Sequence, residues 1–142
     1  MASRTEIRVA VNGYGVIGKR VAEAVAKQED MRLVGVVDVA SDWRPRVALQ
    51  RGFALYGPAR EQVEAMRNAG LAVAGTLESL LDDVDVVVDC TPKKVAATNV
   101  ETYRARGIKF IVQGGEKHSV TGHSFVAESN YASALGRDST RV

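Results

Sequence analysis

A single cysteine, Cys90, among 142 residues rules out an intrachain disulfide, and with it the small cross-linked scaffolds of oxidising compartments. No segment approaches eighteen consecutive apolar residues, and the opening MASRTEIRV meets charge before any apolar stretch. Neither a membrane span nor a signal peptide is expected. Charge of one sign is not concentrated anywhere: 19 basic and 17 acidic residues are interspersed for a net +2, which argues against a surface dedicated to nucleic acid or membrane. No Cys/His cluster has metal-ligand spacing, so no metal is expected. Internal repeats, low-complexity tracts and linkers are lacking too. What is left is one domain, 1–142, expected in the cytoplasm, with the 46% hydrophobic and 25% charged composition of a globular protein that buries a real core.

The chain alternates between two periodicities. Ile7 to Val11 reads as a short buried strand, and Val16 to Gln28 as a helix with Ile17, Val21, Ala24 and Val25 on one face. Leu33 to Val37 is a second β-branched run, ending in Asp38. Ser41 to Gly57 is ambiguous, although Trp43 to Gln50 reads as helical because Pro45 is tolerated in a first turn. Pro58 opens a helix that Gly70 stops. Leu71 to Gly75 is a third strand, Thr76 caps a short helix, and Val84 to Cys90 is too apolar for either of its faces to be exposed. Thr91 and Pro92 end that strand, KKVAATNVETYRARG is helical up to Gly107, and IKFIVQGG is a further strand. SFVAESNY and STRV read as two more extended pieces. The second reaches Val142 as a strand begins, so the chain reads as the first part of something longer. The order implies an α/β fold: a doubly wound, mainly parallel sheet with helices on both faces.

Within that order, VAVNGYGVIG places Gly13, Gly15 and Gly18 in G-x-G-x-x-G spacing between a strand and a helix. In a Rossmann-type domain the first glycine permits the turn, the second lets backbone approach a pyrophosphate, and the third lets helix and strand pack. The helix N-terminus then offers unpaired N–H groups to the phosphates. The competing reading is a turn whose glycines serve packing alone. Asp38, twenty residues past Gly18, is placed to accept the ribose hydroxyls of an adenosine and to repel a 2′-phosphate. Its competing role is a strand-end cap. Arg44 and Arg46 are alternative partners for a 2′-phosphate, so NAD is favoured, with NADP the alternative.

Thr91 and Pro92 in DCTP, and Gln113, Gly114 and Gly115 in QGG, end two later strands, on the sheet edge where ligands bind. The cofactor set is thus Gly13, Tyr14, Gly15, Val16, Ile17, Asp38, Thr91, Pro92, Gln113, Gly114 and Gly115. Cys90 follows a buried strand with no cationic neighbour or nearby His, and reads as an inert core thiol rather than a nucleophile. Glu116, Lys117 and His118 gather an acid, a base and an imidazole, but no nucleophile accompanies them; they read as surface or interface polar residues. No catalytic residue is assigned.

VNGYGVIGKRVAEAV, RVALQRGFALYG, AGLAVAGTLESLLDDVDVVVDCTP, QGGEKH, SNY and STRV together resemble, in one register from Ile7 to Val142, the N-terminal part of archaeal-type (type II) phosphorylating glyceraldehyde-3-phosphate dehydrogenases. The resemblance implies a Rossmann domain followed by an α+β catalytic domain, a homotetramer, and oxidation of glyceraldehyde 3-phosphate with NAD(P) and phosphate to 1,3-bisphosphoglycerate. It also implies that Val16 and Ile17 contact the pyrophosphate, and that Gly114 or Gly115 touches the cofactor. The family's nucleophilic cysteine lies in an SCN motif just after TRV, outside these 142 residues, so the chain alone is expected to be inactive. Asp38 departs from the Lys or Thr-type residue common there and favours NAD. Two alternatives stay open: a non-catalytic NAD-binding module, and the first domain of another aldehyde or semialdehyde dehydrogenase.

Overall fold

The computed structural model describes residues 6–113 and 115–142. Seven strands, β1 (Ile7–Asn12), β2 (Met31–Val37), β3 (Leu55–Gly57), β4 (Val73–Thr76), β5 (Val86–Asp89), β6 (Lys109–Val112) and β7 (Ser139–Arg141), form one sheet in the order β4-β3-β2-β1-β5-β6-β7. Every neighbouring pair is parallel. Parallel pairing needs crossovers, and these are α1 (Val16–Ala26), α2 (Trp43–Gln50), α3 (Arg60–Asn68), α4 (Leu77–Leu81), α5 (Val95–Ala105) and α6 (Ala127–Ala134). The doubly wound α/β architecture is therefore as the sequence predicts.

Two apolar cores flank the sheet. One joins Val9, Val11 and Val36 to Ala22 and Val25 of α1, Ala48 of α2, and Val63 and Met66 of α3. The other joins Ala10, Val37, Val87 and Val112 to Leu77, Leu80 and Leu81 of α4, and Val100 and Tyr103 of α5. Alternate residues of β1 and β2 thus serve opposite cores, as period-2 alternation requires of a strand covered on both faces.

Two expectations are corrected and one ambiguous stretch is resolved. The buried stripe of α1 is Gly18, Ala22 and Val25, with Val21 half-buried; Ile17 is 50% exposed and Ala24 is exposed, because Gly18 is the contact point of helix on strand and sets the rotation. The ambiguous Ser41–Gly57 stretch contains β3, three residues long and too short to show a period. SFVAESNY is mostly helical rather than extended, with a kink at Asn130. The Asn130 amide donates to the Ser124 carbonyl and its oxygen accepts from the Val126 N–H, both at 2.7 Å, which folds the segment back on itself. Only Ser124 keeps an extended partner, a bridge to Arg141.

The strand order reverses between β1 and β5. Loops leaving their carboxyl ends run in opposite directions there, and a crevice opens between them, the position where open α/β sheets bind ligands.

Candidate functional site

Backbone ladders bring the predicted loops to that crevice. The Gly13 N–H donates to the Val37 carbonyl at 2.8 Å, Cys90 N–H to Asn12 at 2.7 Å, and Gln113 N–H to Asp89 at 2.9 Å. The glycine turn, the end of β2 with Asp38, the Thr91–Pro92 turn and Gln113 therefore stand side by side. Gly114 lies outside the described residues.

The three glycines have separable reasons. Gly13 has φ +96°, and a Cβ there would meet the Cys90 carbonyl at 2.9 Å; a Cβ on Gly18 would lie 1.7 Å from the Gly13 oxygen. Packing alone explains both. Gly15 has an ordinary φ of −78°, and a Cβ there would have nothing within 4 Å. Its bareness serves the open side. Gly15 is also the N-cap of α1 with no side chain capping it, and the first turn of that helix holds no acid. Its N–H groups are left to an external acceptor, and an anion is the natural one.

Two hollows meet over this turn. One, about 320 Å³, is lined by Tyr14, Gly15, Val16, Lys19, Asp42, Trp43 and Arg44. The other, about 440 Å³, is lined by Gly15, Val16, Ile17, Cys90, Thr91, Pro92, Gln113 and Gly115. Gly15 and Val16 belong to both. Tyr14 packs its ring into the core at 1% exposure. Val16 and Ile17 are exposed at 71% and 50%, which for aliphatic side chains at a helix start leaves the turn uncovered. The larger hollow at the amino edge, about 650 Å³, is a different matter: Arg106 pairs with Asp82 at 2.6 Å and Asp85 with Arg8 at 2.9 Å, so its charges satisfy one another.

Asp38 is 6% exposed. Its Oδ1 accepts from the Val39 N–H at 2.8 Å, while Oδ2 is buried with no partner among the described residues. Burial raises its pKa, and the Val39 N–H and the charge of Arg44 offset this in part. A buried acceptor without a donor is costly unless something supplies one. A ribose diol offers two, so the donor set fits the expected cofactor. Arg44 pairs with Asp42 at 2.9 Å beside the smaller hollow, whereas Arg46 donates to the Ala69 carbonyl at 3.3 Å and is turned away. Of the two arginines considered for a 2′-phosphate, only Arg44 is at the site.

Beneath the Thr91–Pro92 turn lies a polar cluster that sequence reasoning missed. Asp89 is fully buried; its Oδ1 accepts from the Thr91 N–H at 3.0 Å and from the Thr91 hydroxyl. Its Oδ2 accepts from the Tyr103 hydroxyl at 2.7 Å and from Asn99 at 3.1 Å, and Asn12 donates to Tyr103 at 2.8 Å. The cluster ties β1, β5 and α5 under the groove and fixes the turn. Glu116, expected at the surface, is 4% exposed; it accepts from the N–H of Lys94, whose φ of +75° is left-handed, and so clasps the loop after β5 to the loop after β6. The acid in GEKH was visible in the sequence, but its backbone donor 22 residues away was not.

Cys90 behaves as expected of a core thiol: burial, with the nearby Asp89 charge, pushes its pKa up to about 12. His118 is exposed and touches Ser124 at 3.0 Å, and His123 is buried between the Thr140 and Ser133 hydroxyls at 2.8 and 2.9 Å. Neither imidazole faces a thiol. Among the described residues no group of three or more His, Cys, Asp or Glu is arranged to hold a metal ion. Among the described residues no helix is long and apolar enough to cross a membrane.

A bare-necked helix over a parallel-sheet switch point, with an orphaned acid at the end of the second strand, defines a dinucleotide-binding Rossmann domain. Residues 7–118 match the family described as "Dihydrodipicolinate reductase, N-terminus", and the chain belongs to that family. It is also similar to proteins named glyceraldehyde-3-phosphate dehydrogenase: 48% identical over 134 residues to that of Methanothermus fervidus, and 51% over 138 residues to that of Methanococcoides burtonii. These alignments take in 94% and 97% of the chain but 40% and 41% of the relatives, so the chain spans about two-fifths of their length. Among solved structures, apo scyllo-inositol dehydrogenase from Lactobacillus casei aligns over 98% of the chain and 37% of its own (TM-score 0.61, 14% identity). GenD2 from gentamicin A biosynthesis, in complex with NAD, aligns over 77% and 27% (TM-score 0.58, 23% identity). At those identities the likeness is one of fold.

Proposed function

We propose that this chain is the dinucleotide-binding part, as one domain over 1–142, of a phosphorylating glyceraldehyde-3-phosphate dehydrogenase of the cytoplasm, and that it prefers NAD to NADP. The observation that carries the reading is the two-lobed groove divided at Gly15–Val16. A dinucleotide is two nucleosides joined by a pyrophosphate, and the turn offers bare N–H groups where the pyrophosphate belongs. Identity of about one residue in two along nearly the whole chain supports the particular enzyme.

Gly13, Tyr14, Gly15, Val16 and Ile17 form the phosphate turn on this reading. Asp38 takes the adenosine ribose; Thr91, Pro92, Gln113 and Gly115 line the nicotinamide side. The bound dinucleotide supplies the hydride acceptor. The aldehyde must first be attacked by a thiolate, and the chain's one thiol, Cys90, is held protonated under the turn. The 142 residues therefore bind cofactor and do not oxidise the aldehyde by themselves; the homotetramer is a property proposed for the longer protein.

Calorimetric titration of Asp38→Ala with both cofactors tests the assignment. Its NAD affinity is expected to fall about tenfold relative to NADP, since the variant loses the ribose acceptor and the charge that repels a 2′-phosphate. An unchanged ratio would sink it. The ionised carboxylate is the form that accepts hydroxyls, and burial raises the Asp38 pKa. NAD affinity is therefore expected to weaken as pH falls, from a higher pH than an ordinary aspartate would give, and Asp38→Asn is expected to flatten that profile.

A further inference from the structure

Trp43 is the only tryptophan of the chain and the first residue of α2. Its indole is 62% exposed, at the rim of the smaller hollow. It is not loosely placed. The Asp42 side chain caps α2 by accepting from the Arg44 N–H at 2.9 Å and pairs with the Arg44 guanidinium at the same distance, which fixes the turn from which Trp43 projects. Lys19, on α1, sets its ammonium 5.9 Å from the ring centroid, so the two rims of the smaller hollow meet across that contact. The hollow continues into the Gly15–Val16 turn, and Asp38, with its unpartnered Oδ2, precedes Trp43 by five residues on the same β2–α2 connection.

We infer that Trp43 is the stacking platform for the adenine ring of the bound dinucleotide, with Lys19 holding the indole in place from the opposite rim. The inference rests on the dinucleotide reading above. A purine is flat, heteroaromatic and of the right size for one indole face, and stacking needs no hydrogen-bond code. Adenine rather than nicotinamide is assigned because Trp43 shares the β2–α2 connection with Asp38 and lines its lobe with Arg44, whose charge acts on Asp38, while Thr91, Pro92 and Gln113 line the other lobe. This makes Trp43 a determinant of affinity for adenylates in general, ADP-ribose and AMP included.

The single tryptophan is its own reporter. Titrating the chain with NAD, ADP-ribose and AMP is expected to quench tryptophan emission saturably, with the NAD midpoint matching that from calorimetry; nicotinamide mononucleotide is expected to leave emission unchanged. Trp43→Ala is expected to weaken ADP-ribose binding roughly 5- to 100-fold by calorimetry, the range set by the loss of one aromatic–base stack, and Trp43→Phe to recover most of it. Circular dichroism confirms that each variant is folded. Calorimetric heat from NAD with no change in emission, or wild-type affinity in Trp43→Ala, would overturn the stacking role while leaving the dinucleotide reading intact. No heat from NAD or ADP-ribose with the unaltered chain would overturn both.

Discussion

Gly13, Gly15 and Gly18 share one motif but answer to different forces, and substitution separates them. A methyl on Gly18 would sit 1.7 Å from the Gly13 carbonyl oxygen, which cannot give way without opening the β1–α1 junction. Gly18→Ala is expected to cost about 3 kcal/mol of stability in denaturant unfolding. A methyl on Gly15 meets nothing within 4 Å at an ordinary φ. Gly15→Ala is expected to change stability by less than about 1 kcal/mol yet weaken NAD binding about tenfold, because the methyl stands where the phosphates approach. If Gly15→Ala binds NAD as the parent does, the turn serves packing alone. The spacing of the motif was legible in the sequence. The division of labour within it was not, since that depends on which backbone atoms lie opposite each glycine.

The same limit governs the elements. β1, β2, β5 and β6 are legible because β-branched runs bounded by turn residues leave few other choices, and α4 because Thr76 caps it; α2 is readable through Pro45 in its first turn, and the structure adds the Asp42 cap. β3 lies in a stretch the sequence leaves ambiguous, and α6 is misread as extended. Three residues carry no period, and the Asn130 bonds that fold 124–130 back are side-chain bonds within a segment whose apolar pattern reads as extended. The Asp89 cluster was invisible for a further reason: its members are up to 91 residues apart, Asn12 to Tyr103. Its energetic weight is testable at Tyr103, whose buried hydroxyl donates to Asp89 and accepts from Asn12. Tyr103→Phe keeps the ring against Phe110, at a centroid separation of 5.5 Å, but strands an amide donor and removes a donor from a buried carboxylate. Unfolding free energy is expected to drop by about 1 to 3 kcal/mol. NAD binding is expected to weaken as well, since Asp89 holds the Thr91 turn. A loss of stability with no loss of binding would mean that the turn is set by Pro92 and the backbone ladder instead.

At the scale of the whole molecule, burial is uneven. The two cores run from β4 through β6, while the β7 end of the sheet is thinly covered. α6 buries none of its residues, and Val126, Tyr131 and Leu135 are exposed at 58%, 61% and 63%. Tyr131 and Leu135 border an apolar hollow of about 250 Å³ floored by Phe110 and Ile111 of β6. The outer edge of β7 is not the open feature, because Phe125 donates to Arg141 at 2.7 Å and Arg141 to His123 at 3.1 Å along it. The uncovered surface is side-chain apolar area, which associates with a like surface as concentration rises. Sedimentation velocity of the 142-residue chain is expected to show reversible self-association across the micromolar to near-millimolar range. The pair Tyr131→Lys and Leu135→Lys is expected to hold the chain monomeric there with NAD affinity unchanged, because Tyr131 and Leu135 line the β6–β7 end of the sheet while the phosphate turn follows β1. A single monomeric boundary from the unaltered chain at the highest concentration would show that this rim is too small to drive association. Weaker NAD binding in the double variant would show that the two ends of the sheet are coupled.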